Sequence, residues 1–283
     1  MKSKLFLILL LMLWFSISAF AKEEIIWLQN NRPPWLISSG EYKNKGYGDV
    51  IRTFLTKNYL QDYKHLLLPI NPSRAMQKIK DENTNLCYGP AFKIKTLESL
   101  FYFSKPIYVL PQGRIIVTNE TFNRLNRPDE LSMEKLIQNP EFRLGTIKNS
   151  FYYPIDMTKY NEQNNVTTLS TSSPIVHLLA MMKKGRIDWV FDYNVFVKWE
   201  AFLNPNYENI FKTIKVTETQ KLPLSVTYIA CSKNSLGKGI IEKMNKGLTR
   251  SNILEMRKEV RKWQLDANTL QAFDKLNLEY FGF

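Results

Sequence analysis

The sequence has few of the residues that build metal centres. Among 283 residues there are only two histidines, His65 and His177, and only two cysteines, Cys87 and Cys231. Neither histidine belongs to a recognisable set of metal ligands. Nucleophile elbows, phosphate-binding loops and nucleic-acid motifs are also missing from the sequence. We therefore assign no metal, no cofactor and no nucleic-acid partner.

Long apolar runs are missing as well, except at the start of the chain. Two lysines precede the apolar run Leu5 to Ile17, and small residues follow at Ala19 and Ala21. This order predicts a cleaved secretory signal peptide at residues 1–21. The alternative is an uncleaved membrane anchor, because the whole segment from Leu5 to Ala21 approaches the length of about 17 residues that a membrane span needs. We expect cleavage, and hence a soluble periplasmic protein.

Acidic residues are scarce relative to basic ones. The chain has 39 Lys and Arg against 26 Asp and Glu, a formal net charge of +13. The positive charge is spread along the chain and forms no single block, which is typical of a solvated basic surface. In an exported protein, this charge favours an anionic small molecule or the acidic cell envelope as a partner.

Strand-like and helix-like segments alternate along the chain, and the alternation restarts after a polar stretch at residues 119–129. Repeated strand–helix–strand units predict parallel sheets with helices on both faces, and two such runs predict two lobes. The predicted strands are Ile25–Leu28, His65–Ile70, Leu86–Gly89, Arg114–Thr118, Phe142–Ile147, Arg186–Phe191 and Leu224–Ala230. The predicted helices begin near Asp49, Ser73, Ser150 and Ser173, with Asp49 and Ser173 as N-caps.

The stretch "NNRPPW" (Asn30 to Trp35) follows the first predicted strand directly. In open α/β sheets, ligands bind outside the carboxyl ends of the strands. Two prolines preset the shape of this loop, so Arg32 and Trp35 are held ready for a ligand at little entropic cost. The alternative is that Trp35 folds back as a lid on the core.

The segment "FSKPIY" (Phe103 to Tyr108) resembles the "FS-x-P-Y" segment of type II periplasmic solute-binding proteins. This family includes the amino-acid receptors of ABC importers. Other resembling pieces follow in the family's order and cover nearly the whole chain after residue 21. They are "GYGDVI", "PSRAMQKIKDENTNLCYGP", "LGTIKNSFYY", "KKGRIDWVFDY" and "VTYIACSKNS".

The resemblance implies a two-lobed α/β fold of the periplasmic-binding-protein type. Two mainly parallel sheets flanked by helices would be joined by two hinge strands, and closure between the lobes would hold a ligand. Lobe 1 would comprise residues 22–108 and 224–283, and lobe 2 residues 109–223. Cys87 and Cys231 both map to lobe 1, so we expect them to lie close together.

The resemblance also implies ligand-binding residues in lobe 2. Lys148, Asn149 and Ser150 stand between a strand and a predicted helix, at the corner where the family binds a ligand carboxylate. Backbone N–H groups at a helix start attract anions, although Ser150 also reads as a simple N-cap. Asp192 and Tyr193 follow a strand. Asp192 suits a ligand ammonium group, or it satisfies the backbone of the following helix.

In lobe 1 the resemblance points to Arg74 and Tyr88. Arg74 pairs with a ligand carboxylate or phosphate in one interpretation, and forms a structural salt bridge in the other. Tyr88 stacks on a ligand or fills the edge of the core. The family's carboxylate-clamp arginine is replaced by Leu97, which argues against a standard α-amino-acid ligand. The aromatic supply suits a larger or flatter one.

These observations predict a monomeric, non-catalytic solute-binding protein. It would capture a small polar or anionic solute and deliver it to an inner-membrane ABC permease or a sensor. One alternative is a dehydratase-like enzyme on the same fold. Another is a sensory or envelope-interaction protein, which an apolar or blocked cleft would favour.

Overall fold

The computed structural model describes residues 22–79, 84–148, 151–152, 155–171, 173–207, 209–221 and 224–283. The predicted signal peptide lies outside this range. The strands are β1 (Glu24–Gln29), β2 (Lys64–Pro69), β3 (Leu86–Phe92), β4 (Phe101–Phe103), β5 (Tyr108–Leu110), β6 (Arg114–Thr118), β7 (Glu130–Leu131), β8 (Leu144–Ile147), β9 (Phe151–Tyr152), β10 (Ile155–Asp156), β11 (Val166–Leu169), β12 (Trp189–Asp192), β13 (Phe211–Val216) and β14 (Ser225–Ser232).

Helices flank these strands, and in the part of the chain described here none is long and apolar enough to cross a membrane. The α-helices are α1 (Tyr47–Tyr59), α2 (Pro72–Ile79), α3 (Lys95–Glu98), α4 (Asn119–Arg124), α5 (Met133–Gln138), α6 (Pro174–Lys183), α7 (Asn194–Leu203), α8 (Ser235–Gly247), α9 (Arg250–Lys262) and α10 (Ala267–Phe281). Short 3-10 helices occupy Met157–Tyr160, Pro205–Tyr207 and Thr217–Lys221.

Twelve of these strands form two sheets of six, and β9 pairs separately with β10. The first has the order β2-β1-β3-β14-β4, and β5 also pairs with β14. The second has the order β11-β8-β12-β6-β13-β7. The chain therefore leaves the first sheet after β5, builds the second sheet, and returns to the first at β14.

This arrangement confirms the predicted two-lobed α/β fold, although the sheets are mixed rather than mainly parallel. Strands β1, β2 and β3 run parallel, whereas β14 is antiparallel to β3, β4 and β5. In the second sheet, β6 is antiparallel to both β12 and β13. The antiparallel pairs arise where the chain crosses between the sheets. The predicted lobe boundaries at 108/109 and 223/224 stay predictions, and the first falls within β5.

The strand at "LCYGPAF" is longer than its sequence predicts. Gly89 and Pro90 were expected to end it, but β3 continues to Phe92. The register between β3 and β14 shifts at this point, between Tyr228 and Ala230. A β-bulge leaves the ladder locally unpaired, so a proline without an N–H group fits there.

The start of α1 also differs from its prediction. Asp49 was expected as the N-cap, but the helix begins at Tyr47 after Gly46. The carboxylate of Asp49 instead accepts a hydrogen bond from the backbone N–H of Ile37 at 2.8 Å and one from Arg52 at 2.8 Å. Asp49 thus ties α1 to the loop that follows "NNRPPW".

The two cysteines form a disulfide. Cys87 on β3 and Cys231 on β14 are register partners in the first sheet, with an S–S distance of 2.05 Å. The expectation that they lie close together is confirmed. The bond closes a sequence separation of 144 residues, so it connects the two chain segments that build the first sheet on either side of the second.

We predict that the double variant Cys87→Ser/Cys231→Ser unfolds more easily than the wild-type protein. Losing a cross-link over so long a loop costs about 3–5 kcal/mol in the chain-entropy model. Urea unfolding followed by circular dichroism measures this loss. Wild-type protein kept in a reducing agent should match the variant. Two free thiols in non-reducing mass mapping would contradict the disulfide.

A buried carboxylate anchors the start of β12. Asp188 accepts hydrogen bonds from Arg143 Nε at 2.9 Å, from the Arg143 backbone N–H at 2.8 Å, and from Arg124 Nη1 at 2.8 Å. Burial alone would raise the pKa of this carboxyl, but the hydrogen bonds from Arg143 and Arg124 outweigh it and lower the pKa below the ordinary aspartate value. The contribution to stability is therefore complete above about pH 4 and lost as pH falls through the lowered pKa.

We predict that Asp188→Asn lowers the free energy of unfolding by about 2 kcal/mol at pH 7, because it removes charged hydrogen bonds from a buried site. The difference from wild type should shrink as the pH falls below 4. Asp274→Asn is the matched control, since it breaks a half-exposed pair with Arg261 that is worth at most about 1 kcal/mol. Equal losses in the two variants, or a pH-independent loss in Asp188→Asn, would contradict this assignment.

Candidate functional site

The loop after β1 is a closed turn. The backbone N–H of Arg32 donates to the carbonyl of Leu36 at 2.9 Å, and the N–H of Leu36 donates to the carbonyl of Arg32 at 3.1 Å. The N–H of Trp35 also donates to Arg32, at 2.9 Å. Between them the Pro33–Pro34 bond is cis. Three hydrogen bonds and two prolines fix the backbone from which the Arg32 and Trp35 side chains extend.

From this loop, two side chains reach the second lobe. Arg32 Nη2 donates to Asp192 Oδ1 at 2.6 Å, and the Asp192 side chain is fully buried. Asn31 Nδ2 donates to Ser173 Oγ at 2.8 Å, and Asn31 Oδ1 accepts from the N–H of Ser38 at 3.0 Å. Ser173 is the N-cap residue of α6, as predicted, but its hydroxyl caps no helical N–H. The hydroxyl instead accepts a hydrogen bond from lobe 1.

Trp35 lies at the centre of an aromatic cluster drawn from both lobes. Its ring centroid is 6.4 Å from Tyr47 and 5.7 Å from Phe92 in lobe 1. It is 6.4 Å from Tyr193 and 6.1 Å from Phe196 in lobe 2. The side chain is only 6% exposed. Trp35 is therefore a lid on the core, and it also lines the cavity beside it.

This cavity lies between the two sheets and has a volume of about 190 Å³. Lobe 1 supplies most of its wall, and lobe 2 contributes Ile147 and Pro174. Leu97, which the family resemblance aligns with the clamp arginine, lines it as well. The other apolar lining residues are Leu28, Leu36, Ile70, Ala75, Ile79, Pro90, Ala91, Phe92 and Ile94.

Polar groups in the described lining are few: Asn30, Arg32 and Tyr88. Tyr88 packs edge-on against Phe101, with ring centroids 5.1 Å apart. Burial raises the pKa of its phenol well above the ordinary value, so the hydroxyl is neutral at physiological pH. Within the described lining, Arg32 is the sole charged residue, and Asp192 pairs with it. The lining thus offers neutral hydrogen-bonding groups on apolar walls.

Two cationic residues that were predicted to contact a ligand, Arg74 and Lys148, are not among the described lining residues. Arg74 is exposed on α2, and it is Ala75, the next residue, that lines the cavity. Lys148 is exposed at the end of β8, next to the lining residue Ile147, and its backbone N–H donates to Leu169 at 2.8 Å. Asn149 and Ser150 lie outside the described residues.

The prediction of a helix that begins near Ser150 is wrong. Residues Phe151 and Tyr152 instead form β9, which pairs with β10 as an antiparallel hairpin. The described residues of this corner are therefore extended strands and not the first turn of a helix. Asp192 has the second of its two predicted roles, which is to satisfy the backbone at the following helix. Its Oδ1 accepts a hydrogen bond from the N–H of Tyr193 at the start of α7, and it also binds Arg32.

Several residues of the site were not predicted. Phe196 lies three residues after Tyr193, the second of the predicted pair Asp192 and Tyr193, on the buried face of α7. Phe92 lies beyond the bulge at which β3 was expected to end. Asn31 stood within the quoted loop, but its link to Ser173 spans 142 residues and leaves no local pattern.

Solved structures that share this fold include periplasmic binding proteins and the periplasmic domain of BvgS. An arginine-specific periplasmic binding protein from Salmonella typhimurium aligns with a TM-score of 0.61 at 12% identity, covering 86% of this chain and 99% of that one. ArtJ from Geobacillus stearothermophilus, an arginine-, lysine- and histidine-binding protein, aligns with a TM-score of 0.64 at 13% identity, covering 86% and 95%. The periplasmic domain of BvgS from Bordetella pertussis aligns with a TM-score of 0.60 at 15% identity, covering 89% of this chain and 45% of that one.

These likenesses define the fold of the chain, which is the two-lobed fold of type II periplasmic solute-binding proteins. No protein-family model and no curated protein matches it in sequence. At identities of 12–15%, structural likeness establishes the fold alone, so the ligand must be argued from this chain's own residues. Among the described residues, no three side chains of His, Cys, Asp or Glu come together as a metal site.

We predict that Trp35→Ala lowers the free energy of unfolding by about 3–5 kcal/mol, because it deletes a buried aromatic side chain. Trp35→Phe should cost less. Phe202→Ala is the control, since it removes an aromatic side chain that is 47% exposed. Urea unfolding of the three variants gives the comparison. A loss in Trp35→Ala no larger than that in Phe202→Ala would show that Trp35 does not anchor the core.

Proposed function

We propose that this chain is an exported solute-binding protein that holds a small molecule between its two lobes. The observation that carries the proposal is the cavity of about 190 Å³ lined by residues of both lobes. A concave, mostly apolar site with a few placed polar groups is the usual form of a small-molecule site. The periplasmic location rests on the signal-peptide pattern at residues 1–21 and on the likeness to periplasmic proteins.

The lining supports an uncharged, mainly apolar ligand with one or two hydrogen-bonding groups. This differs from the polar or anionic solute that the sequence suggests. Leu97 replaces the cation that would attract a carboxylate, and Arg32 is neutralised by Asp192. Burying an unpaired ligand charge against the remaining apolar wall would be costly. The amide of Asn30 and the hydroxyl of Tyr88 suit a neutral polar group.

The proposed partner is an inner-membrane ABC permease, to which a monomeric binding protein would deliver the ligand. The second candidate is a sensory or envelope-interaction role. The observation that favours it is the cleft itself, since its polar part is filled by Arg32 and its remainder is apolar. The likeness to the BvgS periplasmic domain and the net charge of +13 agree with that candidate.

Binding is favoured over a dehydratase-like activity by the same lining. General acid–base catalysis needs a positioned proton donor and acceptor whose pKa values lie near the working pH. The described lining offers the phenol of Tyr88, whose pKa is raised by burial, and the paired Arg32. It includes no carboxylate or histidine. We therefore propose a protein without enzymatic activity.

We predict that a neutral, mainly apolar small molecule raises the melting temperature of the purified protein. A thermal-shift screen would compare small aromatic and branched aliphatic alcohols and amides with amino acids, dicarboxylic acids and peptides. At a ligand concentration a hundredfold above its Kd, binding stabilises the protein by about 2.7 kcal/mol. Stabilisation by charged amino acids or dicarboxylic acids alone would contradict the proposed ligand class.

Two variants locate the binding site. Ala75→Phe fills the cavity from α2 and should abolish the shift, and circular dichroism without ligand checks that this variant is folded. Arg74→Ala changes the neighbouring exposed residue and should keep the shift. Tyr88→Phe should weaken binding of any ligand that hydrogen-bonds to the phenol. A shift that survives in Ala75→Phe would place the ligand outside this cavity.

A further inference from the structure

The polar part of the interlobe cleft contains a complete ion pair. The guanidinium of Arg32 comes from lobe 1, and the carboxylate of Asp192 comes from the end of β12 in lobe 2. The side chains are 12% and 0% exposed, and Nη2 and Oδ1 are 2.6 Å apart. Two charges leave water at this depth only where their pairing geometry is good.

Aromatic rings from both lobes also pack against this guanidinium. Its central carbon lies 4.5 Å from the ring centroid of Phe196 and 5.3 Å from that of Trp35. Tyr193 packs against both rings, with centroids 6.2 Å from Phe196 and 6.4 Å from Trp35. A planar guanidinium bonds to a carboxylate through its N–H groups and stacks on aromatic faces at the same time.

The loop that carries Arg32 is built to present it. Its backbone is closed by the hydrogen bonds between Arg32 and Leu36, and Asn31 fastens it to Ser173 of the other lobe. A rigid loop loses little conformational freedom when its side chain enters the cleft. The Arg32 residue is therefore held at both ends, by the closed loop at its backbone and by Asp192 at its guanidinium.

We infer that the cleft contains a guanidinium-binding site, formed by Asp192, Phe196 and Trp35, and that Arg32 is its tethered occupant. This inference deepens the proposed function and rests on the interlobe cleft described there. Two consequences follow. The wild-type protein excludes free organic cations from this part of the cleft, and the lobes are held together without a ligand. The ligand then enters only the apolar cavity alongside.

The test empties the site and refills it from solution. Arg32→Ala removes the side chain, and ethylguanidinium chloride is titrated into the purified variant while its melting temperature is followed. We expect the variant to melt several degrees below wild type and to recover saturably with millimolar ethylguanidinium. N-ethylurea, which has nearly the same shape and no charge, should have no such effect. Sodium chloride at equal ionic strength controls for screening.

Matched variants separate this site from general effects. The double variant Arg32→Ala/Asp192→Asn should lose the recovery, because the carboxylate partner is neutral. The Arg74→Ala variant, which lacks an exposed arginine, should show none. Arg32→Lys keeps the charge without the planar fork and should melt between wild type and Arg32→Ala. If Arg32→Ala does not fold without ethylguanidinium, Arg32→Gln replaces it in the titration. An Arg32→Ala variant that folds only when ethylguanidinium is present also supports the inference.

Several outcomes would overturn the inference. These are a folded Arg32→Ala variant that ignores ethylguanidinium, recovery that persists in the double variant, and saturable stabilisation of wild type by the same ion. Variants at position 32 that stay unfolded with ethylguanidinium overturn it as well. The result is separable from the proposed function, because the apolar-ligand screen uses wild type and the Ala75→Phe variant. Either experiment can fail while the other succeeds.

Discussion

The guanidinium of Arg32 and the carboxylate of Asp192 meet 2.6 Å apart across the two lobes, and much of the site is arranged around this contact. The loop from Asn31 to Leu36 is closed so that Arg32 points into the cleft. Trp35 leaves the same loop and packs on aromatic rings of both lobes. Because the pair neutralises its own charges, the adjoining cavity is left with mainly apolar walls and neutral polar groups.

Much of the fold follows from local sequence patterns. Apolar runs bounded by turn residues predict the central strands of both sheets, and the order of short family-like motifs predicts two lobes. The errors fall where tertiary contacts override local signals. The carboxylate of Asp49 binds Ile37 and Arg52 instead of capping α1. The bulge at Gly89 and Pro90, opposite Ile229, lets β3 continue. Phe151–Tyr152 and Ile155–Asp156 pair as antiparallel strands where a helix was predicted.

The candidate site was predictable in its parts but not in its connections. Arg32, Trp35 and Asp192 each follow a predicted strand, which is where ligands meet open α/β sheets. Each was predicted as a ligand contact, yet the structure shows that Arg32 contacts both Asp192 and Trp35. Residues 160 positions apart in sequence give no periodic signal of such a pairing. Similarly, the family resemblance draws attention to Leu97, but only the fold shows that Leu97 lines a cavity.

If the chain's own arginine holds the two lobes together in the absence of ligand, removing its side chain should let them separate. Small-angle X-ray scattering of the purified wild-type and Arg32→Ala proteins would measure this separation. We expect a larger radius of gyration for ligand-free Arg32→Ala than for wild type, and a return to the wild-type value when ethylguanidinium is added. Identical radii of gyration for the two folded, ligand-free proteins would contradict it.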